Sequence, residues 1–260
     1  MEKKPWALIL GASSGFGEAT SLELAKLGYN IVGVHLDRRA TLPHVEEIVK
    51  EIRQEGREAM FFNVNAADPE KRKQVAASIR EEFQKAPGTI RVLLHSLAFG
   101  TLVQYVGEGS VTQAQMDMTS DVMGHSLVYW VQEVMHAGLM ENGGRIFAMT
   151  SSGGTRVMPS YGPVSAAKAI LESHIRQLAM DLAPRGITAN AIRAGVTETP
   201  SSKKIPGYEH IAEMARMRNP HGRLTTPQDV AKAIGVLAQP NAYWINGNVI
   251  GVDGGEDIVG

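Results

Sequence analysis

Cysteine is absent from the 260-residue sequence. This absence excludes disulfide bonds, thiolate nucleophiles and zinc held by cysteine. A charge excess is missing too, because 26 lysine and arginine residues face 27 aspartate and glutamate residues and the formal net charge is −1. Proteins that bind duplex nucleic acid usually carry a strong basic excess, so we expect no nucleic-acid partner.

Long apolar runs are scarce as well. The run at residues 6–10 follows two lysines, but it is too short for the apolar region of a signal peptide and leads into a glycine pattern. No segment reaches the roughly 18 apolar residues that cross a bilayer. None of the eight histidines has the paired spacing of metal ligands. We therefore expect a cytoplasmic protein with no membrane partner and no metal site.

Short apolar runs alternate with longer amphipathic ones along most of the chain. This alternation predicts parallel strands with helices on both faces of one sheet, and strands that are apolar at consecutive positions are typical of burial on both faces. We therefore predict a single α/β domain over 1–260 with a doubly wound, seven-stranded parallel sheet. The predicted strands are 6–10, 30–36, 59–64, 90–96, 145–151, 187–193 and 248–253, and the predicted helices are 16–27, 43–55, 69–85, 112–140, 163–183 and 227–238.

A glycine pattern follows the first predicted strand. The segment LILGASSGFGEAT places Gly11, Gly15 and Gly17 between that strand and the first predicted helix. Glycines at such a turn let the backbone approach a pyrophosphate, whose charge then rests at the positive end of the helix. The position of the motif therefore indicates a dinucleotide site, and a tight turn without a ligand is the alternative.

The spacing Gly-x3-Gly-x-Gly resembles that of the short-chain dehydrogenase/reductase superfamily, and the resemblance runs nearly from end to end. FNV at 62–64, HSLAFG at 95–100 and NAIRAGVTET at 190–199 are similar to its motifs, as are PHGRLTTPQDVAKAIGVLA and GNVIGVDGG near the C-terminus. Leu10 and Ala194 depart from it, because a threonine and a proline are usual there. The resemblance implies a Rossmann-like domain that binds a nicotinamide cofactor. The cofactor-binding residues that it implies are Gly11, Ser13, Ser14, Gly15, Phe16, Gly17, His35, Arg38, Arg39, Asn63, Val64, Ser96, Leu97, Ala98, Lys168, Ala194, Gly195, Val196, Thr197 and Thr199.

The end of the second predicted strand bears on the choice of dinucleotide. An acidic side chain there would hydrogen-bond the ribose 2′-hydroxyl of NAD, whereas arginines would accept the 2′-phosphate of NADP. The usual acidic position holds His35, and Asp37, Arg38 and Arg39 follow. The two arginines favour NADPH. NADH is the alternative, because Asp37 could oppose the phosphate or form a salt bridge with one arginine.

The segment SYGPVSAAK at 160–168 contains a candidate acid and a candidate cation. Hydride transfer to a carbonyl or to a conjugated thioester leaves charge on an oxygen, which must be stabilised or protonated. A tyrosine, with an ordinary pKa of about 10, is a weak acid unless a cation such as Lys168 favours its phenolate. Most of the superfamily has Tyr-x3-Lys, with a serine 13 residues before the tyrosine. Here Val164 stands at the tyrosine position, Ser151 stands at the serine position, and Tyr161 is the remaining acid.

The seven-residue step from Tyr161 to Lys168 has a geometric meaning. Steps of four and of seven residues place two side chains on nearly the same helix face, at offsets of about 40° and −20°. Gly162 and Pro163 mark the start of the helix, because proline suits the first helical position. Tyr161 would then lie one turn nearer the positive end of the helix. A tyrosine that only packs against the loop, with Lys168 solvated, is the alternative.

Tyr-x6-Lys is similar to the arrangement in the enoyl-acyl-carrier-protein reductases, a divergent branch of the superfamily. VLLHSLAFG, RAGVTET and MPSYGPVSAAKA also resemble segments of that branch. The retained glycines resemble its NADPH-dependent class, as does Ser151 in place of a second tyrosine. Met123 stands where the superfamily has a helix asparagine, so the sequence lacks that member of the usual proton relay.

This resemblance implies reduction of the 2,3 double bond of a 2-enoyl thioester, as in fatty acid biosynthesis. The substrate would be carried by acyl carrier protein rather than coenzyme A, and the catalytic residues would be Tyr161, Lys168 and Ser151. A 3-oxoacyl-thioester or general carbonyl reductase is the alternative enzyme. A nucleotide-sensing regulator is the non-catalytic alternative, although a regulator does not need an acid–cation pair. The resemblance further implies a homotetramer built on the helices at 112–140 and 163–183.

Residues 196–223 interrupt the alternation of strands and helices. They are rich in proline, serine and glycine, with a short helix predicted at 208–218. Long irregular segments after a strand often form lids or binding loops, and we expect a substrate-binding loop here. A solvated surface loop is the alternative. The residues that could wall an acyl tunnel are Ile205, Tyr208, Ile211, Met214 and Met217, and those that could meet an acidic carrier protein are Lys203, Lys204, Arg216 and Arg218.

Overall fold

A parallel sheet of seven strands forms the centre of the protein. The computed structural model describes residues 3–259. The strands are β1 (Lys4–Leu10), β2 (Asn30–His35), β3 (Ala59–Asn63), β4 (Gly88–His95), β5 (Arg145–Ser151), β6 (Thr188–Ala194) and β7 (Val249–Val252). Their order is β3-β2-β1-β4-β5-β6-β7, and all neighbours pair in parallel. The predicted seven-stranded, doubly wound α/β fold in one Rossmann-like domain is confirmed.

Helices cover both faces of this sheet. They are α1 (Gly15–Lys26), α2 (Leu42–Gln54), α3 (Pro69–Lys85), α4 (Gln113–Ser120), α5 (Ser126–His136), α6 (Gly162–Leu182), α7 (Tyr208–Arg218) and α8 (Pro227–Leu237). One core cluster joins the sheet to α3, α5 and α6. A second cluster joins the opposite face to α1, α2 and α8.

The central strand explains why the predicted strands are apolar at consecutive positions. Trp6, Leu8 and Leu10 of β1 belong to one core cluster, whereas Ala7 and Ile9 belong to the other. Successive side chains of a strand point to opposite faces, so a strand covered on both sides needs apolar residues throughout. Each buried leucine or isoleucine contributes about 1.5–3 kcal/mol of transfer free energy.

The strand order reverses direction at β1. The chain passes from β1 outward to β2 and β3, and then returns to place β4 on the other side of β1. In sheets of this kind a crevice opens beyond the carboxyl ends of the strands at such a switch point. A ligand site is therefore expected beyond β1 and β4.

The helix predicted at 112–140 is the one element whose prediction was wrong. This region forms α4 and α5, joined by a π-helical turn at Asp121–His125, and α5 ends at His136. Gly124 in that turn packs against α6, because a Cβ on it would lie 2.8 Å from Cγ2 of Ile170. A hydrophobic period of 3.6 residues does not reveal one extra residue in a turn. The other predicted strands and helices agree with the structure to within two residues at each end.

Residues 196–223 are more ordered than their composition suggests. A short 3-10 helix at Ser202–Lys204 precedes α7, which coincides with the helix predicted at 208–218. Tyr208 and Ala212 of α7 are buried, whereas Met214 and Met217 are exposed. Within residues 3–259, no helix has both the length and the apolar character needed to cross a membrane.

Candidate active site

A cavity of about 310 Å³ lies at the switch point of the sheet. Gly11, directly after β1, has a φ of +91°, and a Cβ on it would lie 2.6 Å from the carbonyl oxygen of Ser96. A Cβ on Gly17 would lie 2.0 Å from the carbonyl oxygen of Gly11. Neither position accepts a side chain without backbone movement, so the glycines allow a tight passage from β1 into α1.

The start of α1 suits an anion. Ser14 is the N-cap residue, but its hydroxyl makes no capping hydrogen bond. The first backbone N–H groups of a helix have no partner within the helix and carry its positive end. The glycine turn and the uncapped helix therefore fit the pyrophosphate of a dinucleotide.

Eleven of the predicted cofactor-binding residues line this cavity. They are Gly11, Ser13, Ser14, Gly15, Phe16, His35, Val64, Ser96, Leu97, Ala98 and Thr199. Of the further lining residues, Phe99 lies within the HSLAFG motif without having been predicted to contact the cofactor. The others carry no motif of their own, and for most of them adjacency to a motif residue was the available signal. These are Val34, Leu36, Asn65, Ala66, Met118, Val122 and Ser201.

The predicted residues 194–197 lie outside the lining of the cavity and hold the end of β6. Ala194 pairs with β7, and the hydroxyl of Thr197 donates to the carbonyl of Gly195 at 2.9 Å. The Val196 N–H donates to the Glu256 carboxylate at 3.1 Å. Burial raises the pKa of Glu256, although this backbone hydrogen bond lowers it. The C-terminal segment therefore braces the loop that leads to Thr199.

The tip of β2 is organised around Asp37. Its carboxylate bonds to Nδ1 of His35 at 2.9 Å and accepts the Thr41 hydroxyl at 2.7 Å. Burial raises the pKa of Asp37, but hydrogen bonds from Ser13, Thr41 and His35 outweigh burial and leave this pKa below its ordinary value. A salt bridge between Asp37 and a neighbouring arginine was left open by the sequence, and the structure instead pairs Asp37 with His35.

Arg38 and Arg39 are exposed beside this tip and do not line the cavity. Neither forms an ion pair with a carboxylate of residues 3–259. Asn63 is likewise outside the lining: its side-chain amide holds the backbone of Asp37 through hydrogen bonds of 2.9 and 3.0 Å. Both arginines thus lie without a carboxylate partner among residues 3–259, close in the chain to His35 and Leu36, which do line the cavity.

Tyr161 is closely packed at the start of α6. It is the N-cap residue, and Gly162 begins the helix as predicted. Its ring packs against Gly153, where a Cβ would lie 2.4 Å from Cε1 of the tyrosine. The preceding Ser160 has a φ of +60°, a left-handed conformation that costs an L-residue about 1–2 kcal/mol. Strain of this kind concentrates at functional sites, where the surrounding structure imposes it.

The pKa of Tyr161 differs from the sequence-based expectation. Burial raises this pKa above its ordinary value, and a hydrogen bond with Ser151 lowers it only in part. Ser151 ends β5, and its Oγ also accepts the Gly153 N–H at 3.1 Å. The sequence predicted that Lys168 would lower this pKa by stabilising the phenolate. In the structure the removal of the ring from water has the larger effect, and it raises the pKa. Tyr161 is therefore a protonated hydrogen-bond donor at neutral pH.

Lys168 is buried two turns further along α6. Its Nζ donates to the Met149 carbonyl at 2.7 Å. Burial lowers the pKa of Lys168 to about 8, while the carboxylate of Glu172 raises it. Glu172 itself accepts the hydroxyl of Thr150 at 2.6 Å. The alternative of a solvated lysine is thus wrong, and the amine lies inside the protein near the carboxyl end of β5.

His95 is a further buried polar residue in this region, and its role was not predicted. Its Nε2 bonds to Oγ of Ser126 at 2.8 Å, and Ser126 donates to the Val122 carbonyl in the π-helical turn. Burial lowers the pKa of His95 to about 3, and the charge of Lys168 lowers it further. His95 is therefore neutral at physiological pH, and it ties β4 to the turn beside Met123. The motif HSLAFG contained this histidine, but a sequence motif does not report burial.

The arrangement combines a dinucleotide cradle with a proton donor and a buried amine. Glycines and a free helix N-terminus suit a pyrophosphate, and a nicotinamide supplies or accepts hydride when it is bound at such a site. Tyr161 can donate a hydrogen bond or a proton to an oxygen that gains charge. Among residues 3–259, no group of three or more histidine and acidic side chains is close enough to hold a metal ion.

Comparisons with known proteins agree with this geometry. The chloroplastic NADPH-dependent aldehyde reductase-like protein of Arabidopsis thaliana is 29% identical over 96% of this chain and 93% of its own length. The 1-cyclohexenylcarbonyl-CoA reductase of Streptomyces collinus is 31% identical over 99% of this chain and 89% of its own length. The crystal structure of enoyl-[acyl-carrier-protein] reductase (NADH) from Aquifex aeolicus VF5 superimposes with a TM-score of 0.86 at 26% identity, covering 100% of this chain and 98% of that one.

The fold and the site define a nicotinamide-dependent oxidoreductase. A family model described as enoyl-(acyl carrier protein) reductase matches residues 11–256. The chain belongs to that family, within the short-chain dehydrogenase/reductase superfamily.

Proposed function

We propose that this protein reduces the 2,3 double bond of a 2-enoyl thioester, with NADPH as the preferred source of hydride. One observation carries the proposal: Tyr161 is the N-cap of α6, while the buried Val164 stands at the helix position where most of the superfamily has its tyrosine. Val164 has no proton to donate. The acid is therefore displaced by about one turn toward the start of the helix.

The chemistry of conjugate reduction suits this displacement. Hydride is delivered to C3 of the enoyl group, and the electron pair of the double bond moves so that negative charge develops on the thioester oxygen. This oxygen is two bonds further from the hydride-accepting carbon than the oxygen of a ketone would be. The protonated Tyr161 can donate to it, the positive end of α6 stabilises it, and Ser151 assists by hydrogen bonding to Tyr161. C2 then takes a proton to complete the saturated product.

The surroundings of Tyr161 also favour an acyl substrate. Met123, Val164 and Ala167 form an apolar cluster with the tyrosine, and Ile205 from the 196–223 segment packs against it. An apolar wall beside the acid suits the first carbons of an acyl chain. We infer that the 196–223 segment is the substrate-binding loop and that Ile205 is its contact with the chain.

The relatives support a thioester substrate, but one of them supports a second candidate reaction. The name of the Streptomyces collinus relative describes a coenzyme A thioester with a conjugated double bond, and the description of the family specifies acyl carrier protein. We favour acyl carrier protein as the carrier. The Arabidopsis relative is described as aldehyde reductase-like, and it favours a general carbonyl reductase as the second candidate.

The preference for NADPH rests on Arg38 and Arg39, which are exposed at the tip of β2 without a carboxylate partner among residues 3–259. Guanidinium groups bind phosphate strongly. Replacing both arginines with alanine should raise the KM for NADPH and change the KM for NADH little. An equal rise for both cofactors would assign the arginines a structural role.

The substrate proposal is tested by cofactor oxidation with matched substrates. The 2-enoyl thioester should react at least tenfold more efficiently than the 3-oxo thioester of equal chain length, measured as kcat/KM. A tenfold ratio needs only about 1.4 kcal/mol of differential transition-state stabilisation, which a displaced charge-assisted hydrogen bond can supply. A better 3-oxo substrate, or turnover of a simple aldehyde alone, would favour the carbonyl-reductase candidate.

We also infer a homotetramer in which α5 and α6 form subunit contacts. Tyr129 of α5 and Met180 of α6 are 37% and 65% exposed, and such contacts would cover both side chains. Light scattering after size-exclusion chromatography gives the mass, and a monomeric mass would contradict the assembly.

A further inference from the structure

A second cavity lies at the opposite end of the sheet from the active site. Its volume is about 940 Å³. Pro5, Arg145 and Thr188 line it from the amino ends of β1, β5 and β6, whereas the nucleotide cavity lies beyond the carboxyl ends. The two cavities share no lining residue. Cavities of this size hold small organic ligands in other proteins.

Two arginines give this cavity a positive wall. Arg145 is 3% exposed and forms no ion pair with a carboxylate of residues 3–259. Arg91 lines the same cavity, with Nη2 at 3.8 Å from Glu141. The carboxylate of Glu141 is already paired with Lys3 at 2.7 Å. No aspartate or glutamate of the described chain lines the cavity itself. Glu141 is shared between Lys3 and Arg91, and Arg145 has no carboxylate partner among residues 3–259.

Each guanidinium group uses only one of its nitrogens to hydrogen-bond backbone carbonyls. Nη1 of Arg145 donates to the carbonyls of Gly143 and Gly144 at 3.1 and 3.2 Å, and Nη1 of Arg91 donates to the carbonyl of Asn142. Nε of Arg145 is buried and has no hydrogen-bond partner among residues 3–259. The charge of the buried Arg145, which has no carboxylate partner among residues 3–259, is costly to keep away from water. An anion in the cavity would remove that cost.

Tyr29 is a third polar group beside these arginines. It lines the cavity, and although burial raises the pKa of Tyr29, the charges of Arg145 and Arg91 lower it. The phenol therefore lies within the field of both guanidinium groups. A hydroxyl and two planar guanidinium groups that line one cavity are donors suited to the oxygens of a carboxylate or a phosphate.

The rim of the cavity is aromatic. Trp244 is 87% exposed and Tyr243 is 62% exposed, with their ring centroids 5.8 Å apart in an edge-to-face arrangement. Both residues line the cavity. Exposed aromatic side chains next to a polar pocket commonly contact the apolar or planar part of a ligand.

We propose that this cavity binds a small organic anion. Its carboxylate or phosphate group pairs with Arg91 and Arg145, and its ring or apolar body lies against Trp244. The site is separate from the active site and does not depend on which substrate the enzyme reduces.

The test uses phenyl phosphate, benzoate and phenol as probes of the purified full-length protein. Trp6 and Trp130 are 2% and 0% exposed, so solvent-dependent changes in tryptophan emission report on Trp244. Calorimetry gives the dissociation constants. Phenyl phosphate or benzoate should bind and change the emission, phenol at the same concentration should not, and the tighter of the two anions identifies the head group.

Substitutions locate the site. Arg91→Met should weaken binding about tenfold or more, the scale of a lost hydrogen bond to a charged group. Arg80→Met, which removes the same charge from the exposed side of α3, should leave binding unchanged. Arg145→Lys keeps the charge without the planar fork and should also weaken binding, with thermal unfolding used to verify that each variant is folded. Failure of both anions to bind wild type at millimolar concentration would overturn the proposal, as would equal binding by wild type and Arg91→Met.

Discussion

Tyr161 combines a protonated phenol with a position at the positive end of α6. Tyr161→Phe keeps the ring against Gly153 and removes only the hydroxyl. We expect kcat to fall by about 10²-fold or more, the usual scale of a lost general acid, while nucleotide affinity stays nearly unchanged. Steady-state kinetics and a nucleotide-binding titration measure the two quantities.

A second phenol near the site provides a matched control. Tyr105 comes from the segment between β4 and α4, and its ring lies 2.6 Å from the position of a Cβ on Gly162. Tyr105→Phe should have little effect, because this side chain is 53% exposed and lies outside the buried cluster. Full activity of Tyr161→Phe, or an equal loss in Tyr105→Phe, would show that Tyr161 is not the acid.

At single residues, the sequence predicted the position of a residue along an element better than its surroundings. The placement of Tyr161 at the start of α6 and of Lys168 two turns along it could be predicted from Pro163 and from the seven-residue step. The burial of both side chains could not, because it depends on distant residues such as Met149. For the same reason the partner of Asp37 was open: His35 and Arg38 are both close in sequence, and only the fold decides between them.

The turn that begins α6 supplies a prediction about backbone strain. Ser160 is the residue with a left-handed φ immediately before Tyr161. Ser160→Gly should preserve or raise the free energy of unfolding, because glycine adopts this conformation without the steric cost. Ser160→Val should lower the free energy of unfolding, because a β-branched residue is more strained than serine at positive φ, and it should also lower kcat, because the turn positions Tyr161.

Urea unfolding and kinetics of the same variants separate these effects. Ser173→Val changes an exposed serine of α6 in the ordinary helical conformation and serves as the control. If Ser160→Val were as stable and as active as Ser173→Val, the left-handed turn would not position the acid.

Elements with one regular period were predictable, and irregular ones were not. The strands followed from buried apolar runs, and α7 followed from a short amphipathic pattern within an otherwise polar segment. The π-helical turn at Asp121–His125 was not predicted, since one additional residue shifts a helical pattern without removing it. In the structure this turn is marked by the contact of Gly124 with Ile170. The two residues are far apart in the chain, so a local sequence pattern does not reveal the contact.

For the molecule as a whole, the buried Lys168 predicts how stability depends on pH. Its pKa is about 8 in the folded protein, below the ordinary value of 10.5. Below about pH 8 the ammonium is present in both states, and its burial destabilises the folded state. This penalty is lost as pH rises from about 8 to 10.5, because the folded protein releases the proton first. The contribution of Lys168 to the free energy of unfolding therefore rises with pH in that window.

Lys168→Met removes this contribution. The stability of the variant relative to wild type should be more favourable at about pH 7 than at about pH 10, by on the order of 2–3 kcal/mol. Urea unfolding of both proteins at the two pH values measures the difference. Lys50→Met, at an exposed position of α2, should show no such change, and an identical pH response of wild type and Lys168→Met would contradict the low pKa.

The fold and the nucleotide end could be predicted because their signals are local: apolar runs, glycines at one turn and a helix start. The cavity at the opposite end could not be predicted. Arg91 and Arg145 come from different strands, and Trp244 comes from a segment near the C-terminus. Nothing in their spacing indicates that they share a wall, because the sheet order brings them together.

The position of β1 in the middle of the sheet also sets the order in which the chain can fold. β1 pairs with β2 on one side and with β4 on the other, where Leu10 lies opposite His95. During synthesis the first three strands emerge well before β4, so one edge of β1 has no partner until the chain has grown past His95. Closing that long segment has an entropic cost and slows folding. Until then, the nascent chain presents an apolar strand edge of the kind that pairs with other chains, and chaperone protection would matter most at this stage.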